Sequence, residues 1–478
     1  MTMHNLTMMT DLYELTMMNG YLRHGMKDAR ACFDVFYRKQ GDMTSYAVAA
    51  GLEQAIDYVK NLRFDAEDVA YLRSLGIFDE DFLAYLAGFR FTGEILSVPE
   101  GTIVFPNEPI VRVIAPIMEA QLLETTLLNI IGHQTLIATK ASRIVQAARS
   151  DRVLEFGLRR AQGPDAGIYG ARAAIIGGFQ ATSNVLAGQL FDVPVGGTHA
   201  HSWVMSFPDE LTAFRAYADV FPRQCLLLVD TYDTLGSGVP NAITVFKELR
   251  AKGIEPMGIR LDSGDLAFLS RQARKMLDEA GFPEAKIFAS GDLDEEVIWD
   301  LKAQGAAIDV WGVGTRLITS MGNPSLGVVY KLAAQEIGGS FVPRIKISEN
   351  PVKVTNPGIK QLLRYYDKRT GKALADLIAL EDEQLTGGEP LEIFDPEHTW
   401  KRMTLCDYTA KQLLVPIFEH GELVYSSPTL AEISAYAREE MDTFWDEYKR
   451  LHSPHRYKVD LSAKLYALKS ELLGQKRG

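Results

Sequence analysis

Short apolar runs alternate with amphipathic segments between Leu226 and Arg316, and this alternation is the clearest pattern in the chain. The runs are LLLV at 226–229, MGI at 257–259, KIFA at 286–289 and DVW at 309–311. Each is followed by small or charged residues, and the segment 266–277 has apolar residues at helical spacing. Short buried strands that alternate with helices predict a parallel sheet or a (β/α) barrel, in which the carboxyl ends of the strands carry the chemistry.

The two ends of the chain have other patterns. Helices are predicted over 11–25, 51–62, 65–75 and 119–150, and strands over 31–37 and 153–156. The segment 93–114 has β character, with Pro and Gly at turn positions. The segment 166–187 is rich in small residues and predicts a helix that packs closely on a sheet or a partner subunit. A final helix is predicted to begin at Thr429 and to include Phe444 and Tyr448.

Composition narrows the class of protein. A chain of 478 residues is too long to fold around a single hydrophobic core, so two or three domains are expected. The net charge of −12 argues against general binding of nucleic acid or anionic membranes. The three cysteines are widely spaced and form no metal-ligand pattern, which favours a reducing compartment. Neither a signal peptide nor a membrane-spanning run is recognisable, so we expect a cytosolic protein.

Charged residues follow two of the predicted strands. Arg260 and Asp262 lie two residues apart, so both can face the same side of a strand end. They form either a structural ion pair or, as we favour, a site at which the guanidinium binds carboxylate or phosphate. Asp230 and Asp233 can bind ribose hydroxyls or Mg²⁺, although one of them can instead cap a helix.

Glycine-rich sequences follow the other two strands. Gly314 and Thr315 belong to a Gly-Val-Gly-Thr sequence that exposes backbone N–H groups at the predicted start of a helix, a geometry that binds phosphate. Many such turns only change the direction of the chain. Ser290-Gly291 is a second candidate pair of phosphate donors, and two such ends side by side favour binding over a plain turn.

Two further groups of residues are candidates for chemistry. His199 and His201 can be zinc ligands, but no third ligand has matching spacing, and an exposed imidazole among glycines is a candidate nucleophile or acid–base group. A structural histidine is the alternative. Phe156 and Arg159 suit a flat anionic ring by stacking and charge, or are a core aromatic and a solvent-facing cation.

The segment 344–372 is basic in an acidic chain and is followed by an acidic one, 376–398. The basic residues either bind an anion together or lie on solvated strand faces.

Several segments, in order, resemble nicotinate phosphoribosyltransferases. They are TDLYELTM at 10–17, EFGLRRAQGPDA, GTHAHS, VDTYDT, IRLDSGDL, GVGTRLITS and PRIKIS. The resemblance implies an α/β fold: an irregular (β/α) barrel with a second, β-rich α+β domain built from N- and C-terminal segments. We therefore predict a β-rich domain of 1–118 with 336–425, a barrel of 119–335, and C-terminal helices over 426–478.

The resemblance also implies a reaction. Nicotinate and phosphoribosyl pyrophosphate give nicotinate mononucleotide and pyrophosphate in NAD salvage, with Mg²⁺ and with ATP as a co-substrate that phosphorylates a histidine transiently. A cytoplasmic homodimer with shared active sites is expected.

The resemblance assigns roles to residues of this chain. His201 matches the phosphorylated histidine, and Tyr13 of the partner subunit and Phe156 would sandwich the pyridine ring. By the same resemblance, Thr198 and Arg260 would bind nicotinate, and Arg159 would lie close to the ring and the ribose. The ribose and the metal would be bound by Asp230 and Asp262, and the 5′-phosphate by Gly291, Gly314 and Thr315. Pyrophosphate or ATP would be bound by Arg38, Lys346 and Lys353.

The substrate is predicted from one position. Nicotinamide-using relatives carry an aspartate where this chain has Ser183, and an aspartate would repel a carboxylate ligand, so nicotinate is favoured. A nicotinamide phosphoribosyltransferase, a barrel enzyme such as an aldolase and a non-catalytic nucleotide sensor are the alternatives. An aldolase normally needs a Schiff-base lysine at a strand end, and none is evident between 226 and 316.

Overall fold

The computed structural model describes residues 5–39, 41–350 and 353–475. The chain divides into two compact units, Met1–Thr139 with Ser325–Gly478, and Lys140–Pro324. The helix Glu124–Ala148 begins in the first unit and ends in the second. Within the described residues, no helix is long and apolar enough to cross a membrane. The three-part division predicted from the sequence stays a prediction.

Six parallel strands form the sheet of the unit Lys140–Pro324. In chain order they are β1 Arg152–Glu155, β2 Ala181–Thr182, β3 Leu226–Leu228, β4 Gly258–Leu261, β5 Lys286–Gly291 and β6 Val310–Val313. Their spatial order is β2-β1-β6-β5-β4-β3. The predicted apolar runs form four of these strands, and most residues of the six strands are buried, as expected for a sheet that is covered on both faces. The predicted parallel α/β fold is confirmed.

Helices connect these strands. Asp209, Asp265 and Asp294 begin three of the helices by accepting a backbone N–H of the first turn. The helices are Pro164–Ile176, Val185–Phe191, His201–Met205, Glu210–Val220, Val239–Ala251, Leu266–Glu279, Glu295–Ala303 and Thr315–Ile318, with single turns at Leu158–Arg160, Pro222–Gln224 and Thr234–Gly238.

The segment 194–199 joins the two edge strands of this sheet. On one side, Thr182 of β2 donates its N–H to Pro194 O and accepts from Gly196 N, at 3.1 and 3.0 Å. On the other side, the Thr198 hydroxyl donates to Leu226 O of β3 at 2.6 Å. One ordinary bridge and side-chain contacts from Thr198 and His199 thus replace a regular ladder, so the barrel is irregular, as predicted.

The other unit is rich in antiparallel strands from both ends of the chain, as predicted. One sheet has the order Ser340–Pro343, Val328–Ile337, Arg30–Tyr37, Val111–Pro116, Glu94–Ser97, Val415–Glu419 and Glu422–Leu423. A second has the order Tyr408–Gln412, Lys360–Asp367, Ala373–Leu380 and Val459–Leu461. Two small sheets pair Leu391–Phe394 with Arg402–Leu405 and Ala47–Val48 with Ile103–Val104.

The helices of this unit pack on these sheets around one large apolar core. They are Leu12–Arg23, Leu52–Lys60, Ala66–Ser74, Glu80–Ala87, Ile117–Leu122, Leu430–Asp442, Asp446–Lys449 and Ala463–Gln475, with a single turn at Asp42–Thr44. Two cations of the basic segment are internal ion-pair partners. Lys360 pairs with Asp34 at 2.7 Å, and the fully buried Arg364 pairs with Asp376 at 2.6 Å. For these two, neither predicted alternative holds, because both side chains are buried and their charges are paired inside the protein.

Two predicted helices differ in extent from the structure. The segment 166–187 is not one helix, because Gly178 has a φ of +105° and turns the chain into β2. The helix after Thr429 ends at Asp442, and Phe444 and Tyr448 lie beyond it. The last helix is Ala463–Gln475.

Candidate active site

The carboxyl ends of the parallel strands surround a cavity of about 530 Å³. Parallel strands bring their carboxyl ends to one edge, so residues far apart in sequence become neighbours there. Many of the predicted site residues line this cavity: Phe156, Arg159, Ser183, Thr198, His201, Arg260, Asp262, Gly291, Gly314 and Thr315. A second cavity, of about 300 Å³, is lined mainly by residues of the helices Glu210–Val220 and Val239–Ala251 and contains none of them.

Arg260 and Asp262 form one hydrogen-bonded group with Ser290. Arg260 Nη2 donates to Asp262 Oδ1 at 2.8 Å, and Arg260 Nε donates to Ser290 Oγ at 2.8 Å. The Ser290 hydroxyl in turn donates to Asp262 Oδ1. Burial by itself would raise the pKa of Asp262, but the bonds from Ser290 and Arg260 outweigh it, and the pKa is lowered. The carboxylate is therefore ionised at neutral pH.

His201 lies beside this group, at the start of the helix His201–Met205. Its Nδ1 is 3.1 Å from the Thr231 hydroxyl, and its Nε2 is 3.7 Å from Asp262 Oδ2. The side chain is 38% exposed. An imidazole that faces a cavity with one nitrogen anchored by a hydroxyl is available for chemistry at the other nitrogen.

His199 has a structural role. Its Nε2 accepts the Leu228 N–H of β3 at 3.2 Å, and its ring lies 4.7 Å from that of Tyr217. Burial lowers the pKa of His199 to about 4, with the charges of Arg260 and His201 acting in the same direction and a backbone bond to Ala200 opposing them. The ring is neutral and both nitrogens have partners, so the zinc interpretation of the two histidines finds no support in the described residues.

Asp230 and Asp233 have different roles, in line with the expectation that one of them can cap a helix. Asp233 caps the next helical turn by accepting Gly236 N–H at 2.9 Å. Asp230 Oδ2 accepts Asp262 N–H at 2.8 Å and the Ser263 hydroxyl at 2.7 Å. Asp230 Oδ1 is buried without a hydrogen-bond partner among the described residues. An acceptor in this state fits a cation or a ligand hydroxyl.

Glycines allow the backbone and the aromatic ring to approach closely. A Cβ on Gly312 would lie 2.5 Å from ring carbons of Phe156, so only glycine leaves room for that ring. Gly291 has a φ of +120°, and a Cβ there would lie 2.9 Å from Asp262 O. Both glycines are therefore required by geometry, in addition to any ligand contact.

Two further cavity residues have local hydrogen-bond partners, and a third is exposed. The Thr198 hydroxyl is used in barrel closure, as described above. Ser183 donates its N–H to Glu155 O at 2.9 Å, and Arg159 lies exposed in the turn Leu158–Arg160. The fully buried Glu155 side chain accepts from Thr182 Oγ1 at 2.5 Å, and burial raises its pKa. An acid thus lies near the Ser183 segment, although it does not line the cavity.

The remaining predicted residues lie in the other unit. Tyr13 is 45% exposed on the helix Leu12–Arg23, beside the exposed Leu12 and Met17. Lys353 is exposed. Arg38 directly follows the strand Arg30–Tyr37, and its Nε is buried without a hydrogen-bond partner among the described residues.

Lys331 is a cation that the sequence reasoning missed. Burial lowers its pKa, Glu124 at 3.7 Å opposes this, and the nearby charges of Lys346 and Arg38 lower it further. The strand Val328–Ile337, which carries Lys331, pairs with the strand that leads to Arg38. On its other side, the strand Val328–Ile337 pairs with Ser340–Pro343, which precedes Lys346. These two antiparallel pairings are not indicated by any local motif.

The chain matches the nicotinate phosphoribosyltransferase (NAPRTase) family throughout. Residues 8–132 match the N-terminal domain, 152–375 the family region and 359–469 the C-terminal domain. The nicotinate phosphoribosyltransferase of Bacillus subtilis (strain 168) is 51% identical over 467 residues, which cover 98% of this chain and 95% of that protein. That of Caenorhabditis elegans is 35% identical over 522 residues, with coverage of 96% and 92%.

Two solved structures have a fold similar to that of this chain. The crystal structure of human nicotinic acid phosphoribosyltransferase has a TM-score of 0.86 and 33% identity, and the match covers 97% of this chain and 99% of that one. A nicotinate-nucleotide pyrophosphorylase from Pyrococcus furiosus has a TM-score of 0.70 at 23% identity, covers 92% and 96%, and shares the fold.

Proposed function

Because the chain belongs to the nicotinate phosphoribosyltransferase family, we propose that it transfers the phosphoribosyl group of phosphoribosyl pyrophosphate to nicotinate, in NAD salvage. The observation that carries this proposal is the cavity in which Arg260, Asp262 and His201 meet at the ends of parallel strands. An anion-binding guanidinium, an ionised carboxylate and an accessible imidazole are the groups that such a transfer needs.

Nicotinate binding is assigned to Arg260, Phe156 and Thr198. The guanidinium is the cavity cation best held in place, and its planar fork suits the nicotinate carboxylate. The ring of Phe156, fitted against Gly312, offers a flat face for the pyridine. The pyridine nitrogen is already nucleophilic, so this chain needs no general base. Ser183 in place of an acid supports nicotinate over nicotinamide.

Catalysis is assigned to the carboxylates near the ribose. Displacement at the anomeric carbon passes through a cation-like state, which the ionised Asp262, together with the neighbouring Asp230, stabilises electrostatically. Gly291, Gly314 and Thr315 line the same cavity and are assigned to the 5′-phosphate. Backbone N–H groups at the ends of neighbouring strands are suitable phosphate donors.

Asp230 and Asp262 are also the residues that would hold Mg²⁺. Carboxylate oxygens are the ligands this ion prefers, and the unpartnered Oδ1 of Asp230 fits such a role. When bound with pyrophosphate, Mg²⁺ neutralises charge on the leaving group. Asp262 Oδ1 is committed to Arg260 and Ser290, so its Oδ2 is the oxygen left to face a ligand.

His201 is assigned as the residue that ATP phosphorylates. Its exposure and the anchoring of Nδ1 by Thr231 support attack through Nε2. A phosphohistidine beside the pyrophosphate site adds negative charge and hydrogen-bond acceptors there, and this couples ATP use to substrate binding.

A homodimer with shared sites and a cytoplasmic location complete the proposal. Exposed apolar side chains on the helix that carries Tyr13 are typical of an interface. Arg38, Lys331 and Lys346 are assigned to pyrophosphate or ATP, since their clustering with one buried, unpaired nitrogen favours an anionic ligand. Lys353 is assigned to the same anions by resemblance alone.

The direct test is a product assay. The full chain is incubated with phosphoribosyl pyrophosphate, Mg²⁺ and labelled nicotinate or nicotinamide, with and without ATP. We expect nicotinate mononucleotide, formed faster with ATP, and little product from nicotinamide. Turnover of nicotinamide alone would overturn the substrate assignment, and absence of product from either base would favour a non-catalytic role.

A further inference from the structure

Ser290 occupies the centre of the polar contacts in the cavity. It lies on β5, opposite Gly312 of β6, and only 4% of the residue is exposed. Its hydroxyl lies between the Arg260 guanidinium and the Asp262 carboxylate and is hydrogen-bonded to both. The direct bond between Arg260 Nη2 and Asp262 Oδ1 closes a triangle of three hydrogen bonds.

The direction of each bond in this triangle is fixed. A guanidinium can only donate, so Ser290 Oγ accepts from Arg260 Nε, and its single proton is left for Asp262 Oδ1. Since that proton is used, the Ser290 hydroxyl has no proton left to donate to a ligand. Its side chain serves its two neighbours instead.

The triangle restrains the plane of the Arg260 guanidinium. Nε and Nη2 each point at a fixed acceptor, whereas the remaining contact, from Nη1 to His199 O, is long at 3.3 Å. Without the Ser290 hydroxyl, the guanidinium would keep one short bond, about which it can rotate. A ligand would then have to order the group on binding, which weakens binding.

We propose that Ser290 is a positioning residue for nicotinate: it fixes the Arg260 guanidinium in the orientation that receives the carboxylate of the substrate. This inference rests on the proposed function and deepens it. Ser290 acts through Arg260 and does not touch the substrate, so its effect falls on nicotinate binding more than on the chemical step.

The test compares Ser290→Ala with the full-length wild type. We expect the KM for nicotinate to rise on the order of tenfold, as expected for loss of one hydrogen bond to a charged group. The KM for phosphoribosyl pyrophosphate and kcat should stay within about threefold, because Asp262 loses the bond from Ser290 but keeps the one from Arg260, and the other groups that meet the ribose remain. Ser290→Thr keeps the hydroxyl and should restore the KM for nicotinate. Ser290→Cys has a similar volume but a poor hydrogen-bonding group, so it should raise the KM for nicotinate in the same way. It supplies the test if the alanine variant fails to fold.

Ser270→Ala is the matched control. Ser270 is also fully buried in the same unit, and its hydroxyl makes two hydrogen bonds, to Ala267 O and from Ala307 N, outside the cavity. It should lower the melting temperature without changing the KM for nicotinate. If the Ala and Cys variants at 290 do the same, or lower kcat at an unchanged KM, the inference is overturned. If the wild type itself shows no turnover, the proposed function is overturned. The inference on Ser290 fails instead when the wild type is active and the variants give the results above, so the two failures are distinguishable.

Discussion

At the scale of the residue, an added methyl group at Gly312 is expected to disturb the site. Gly312→Ala would place a Cβ 2.5 Å from the Phe156 ring. Relief requires movement of the ring or of β6, so we expect a loss of about 1–3 kcal/mol in the free energy of unfolding. The displaced ring should also raise the KM for nicotinate.

Gly387→Ala is the control for this prediction, because a Cβ there meets nothing within 4 Å. Urea unfolding and steady-state kinetics of the two variants supply both measurements. Equal stability and equal KM in Gly312→Ala and wild type would show that Phe156 does not occupy this position.

The roles of individual site residues could be predicted from the sequence only where the residue type and its spacing from a neighbouring residue were sufficient evidence. Arg260 and Asp262 are two residues apart on one strand end, so their pairing was predictable. The choice between Asp230 and Asp233 was not, because it depends on which one meets the backbone of a neighbouring strand. The role of Ser290 likewise arises only when β4 and β5 are side by side.

At the scale of the element, the segment 194–199 decides how the sheet closes. The features predicted in it were a glycine-rich sequence, a nicotinate contact at Thr198 and, at His199, one of two histidines of uncertain role. Closure depends on a hydroxyl and an imidazole that replace backbone ladder bonds, at Leu226 and Leu228. Periodicity cannot show such bonds. The strands β3 to β6 were predictable because their apolar runs are buried on both faces.

This closure predicts a pH dependence of stability. The pKa of His199 is lowered to about 4 in the folded chain, below its ordinary value of 6.5. Between these two values the unfolded chain binds more protons than the folded one, so stability falls as pH falls. The contribution of His199 is complete above about pH 6.5 and is lost on the way to pH 4.

His199→Gln removes this titration and keeps an acceptor for the Leu228 N–H. We therefore expect a smaller loss of unfolding free energy between pH 7 and pH 5 than in the wild type. His24→Gln, at an exposed helix end, is the control and should follow the wild type. A wild-type pH dependence in His199→Gln would contradict the assignment of a neutral, structural imidazole.

At the scale of the whole molecule, the class of fold and some strands of the β-rich unit were predictable, but the pairing of those strands was not. That unit combines strands from 30–37, 94–116 and 328–343 in one sheet, and its antiparallel pairings leave no signature at fixed spacing. The clustering of Arg38, Lys331 and Lys346 is one consequence. The internal ion pairs of Lys360 and Arg364 are another, since a basic segment looks the same whether its cations face ligand or core.

The proposed shared sites predict complementation between inactive chains. Tyr13→Ala and His201→Ala each impair every site in their own homodimers. In a mixed dimer, one site combines His201 of one chain with Tyr13 of the other and is intact. Random exchange of subunits should therefore restore roughly a quarter of wild-type sites. Activity that stays at the level of the separate variants after verified exchange would contradict a site completed by Tyr13 of the partner subunit.

The measurement that tests the account most directly is phosphate transfer from γ-³²P-ATP to the protein. The wild type and the control His24→Ala should take up acid-labile phosphate, because the imidazole of His201 faces the cavity that Asp262 also lines. His201→Ala should take up none and should lose ATP hydrolysis while retaining slow, ATP-independent synthesis. Normal uptake of acid-labile phosphate by His201→Ala would contradict the account, because the described structure leaves His199 no free nitrogen to replace it.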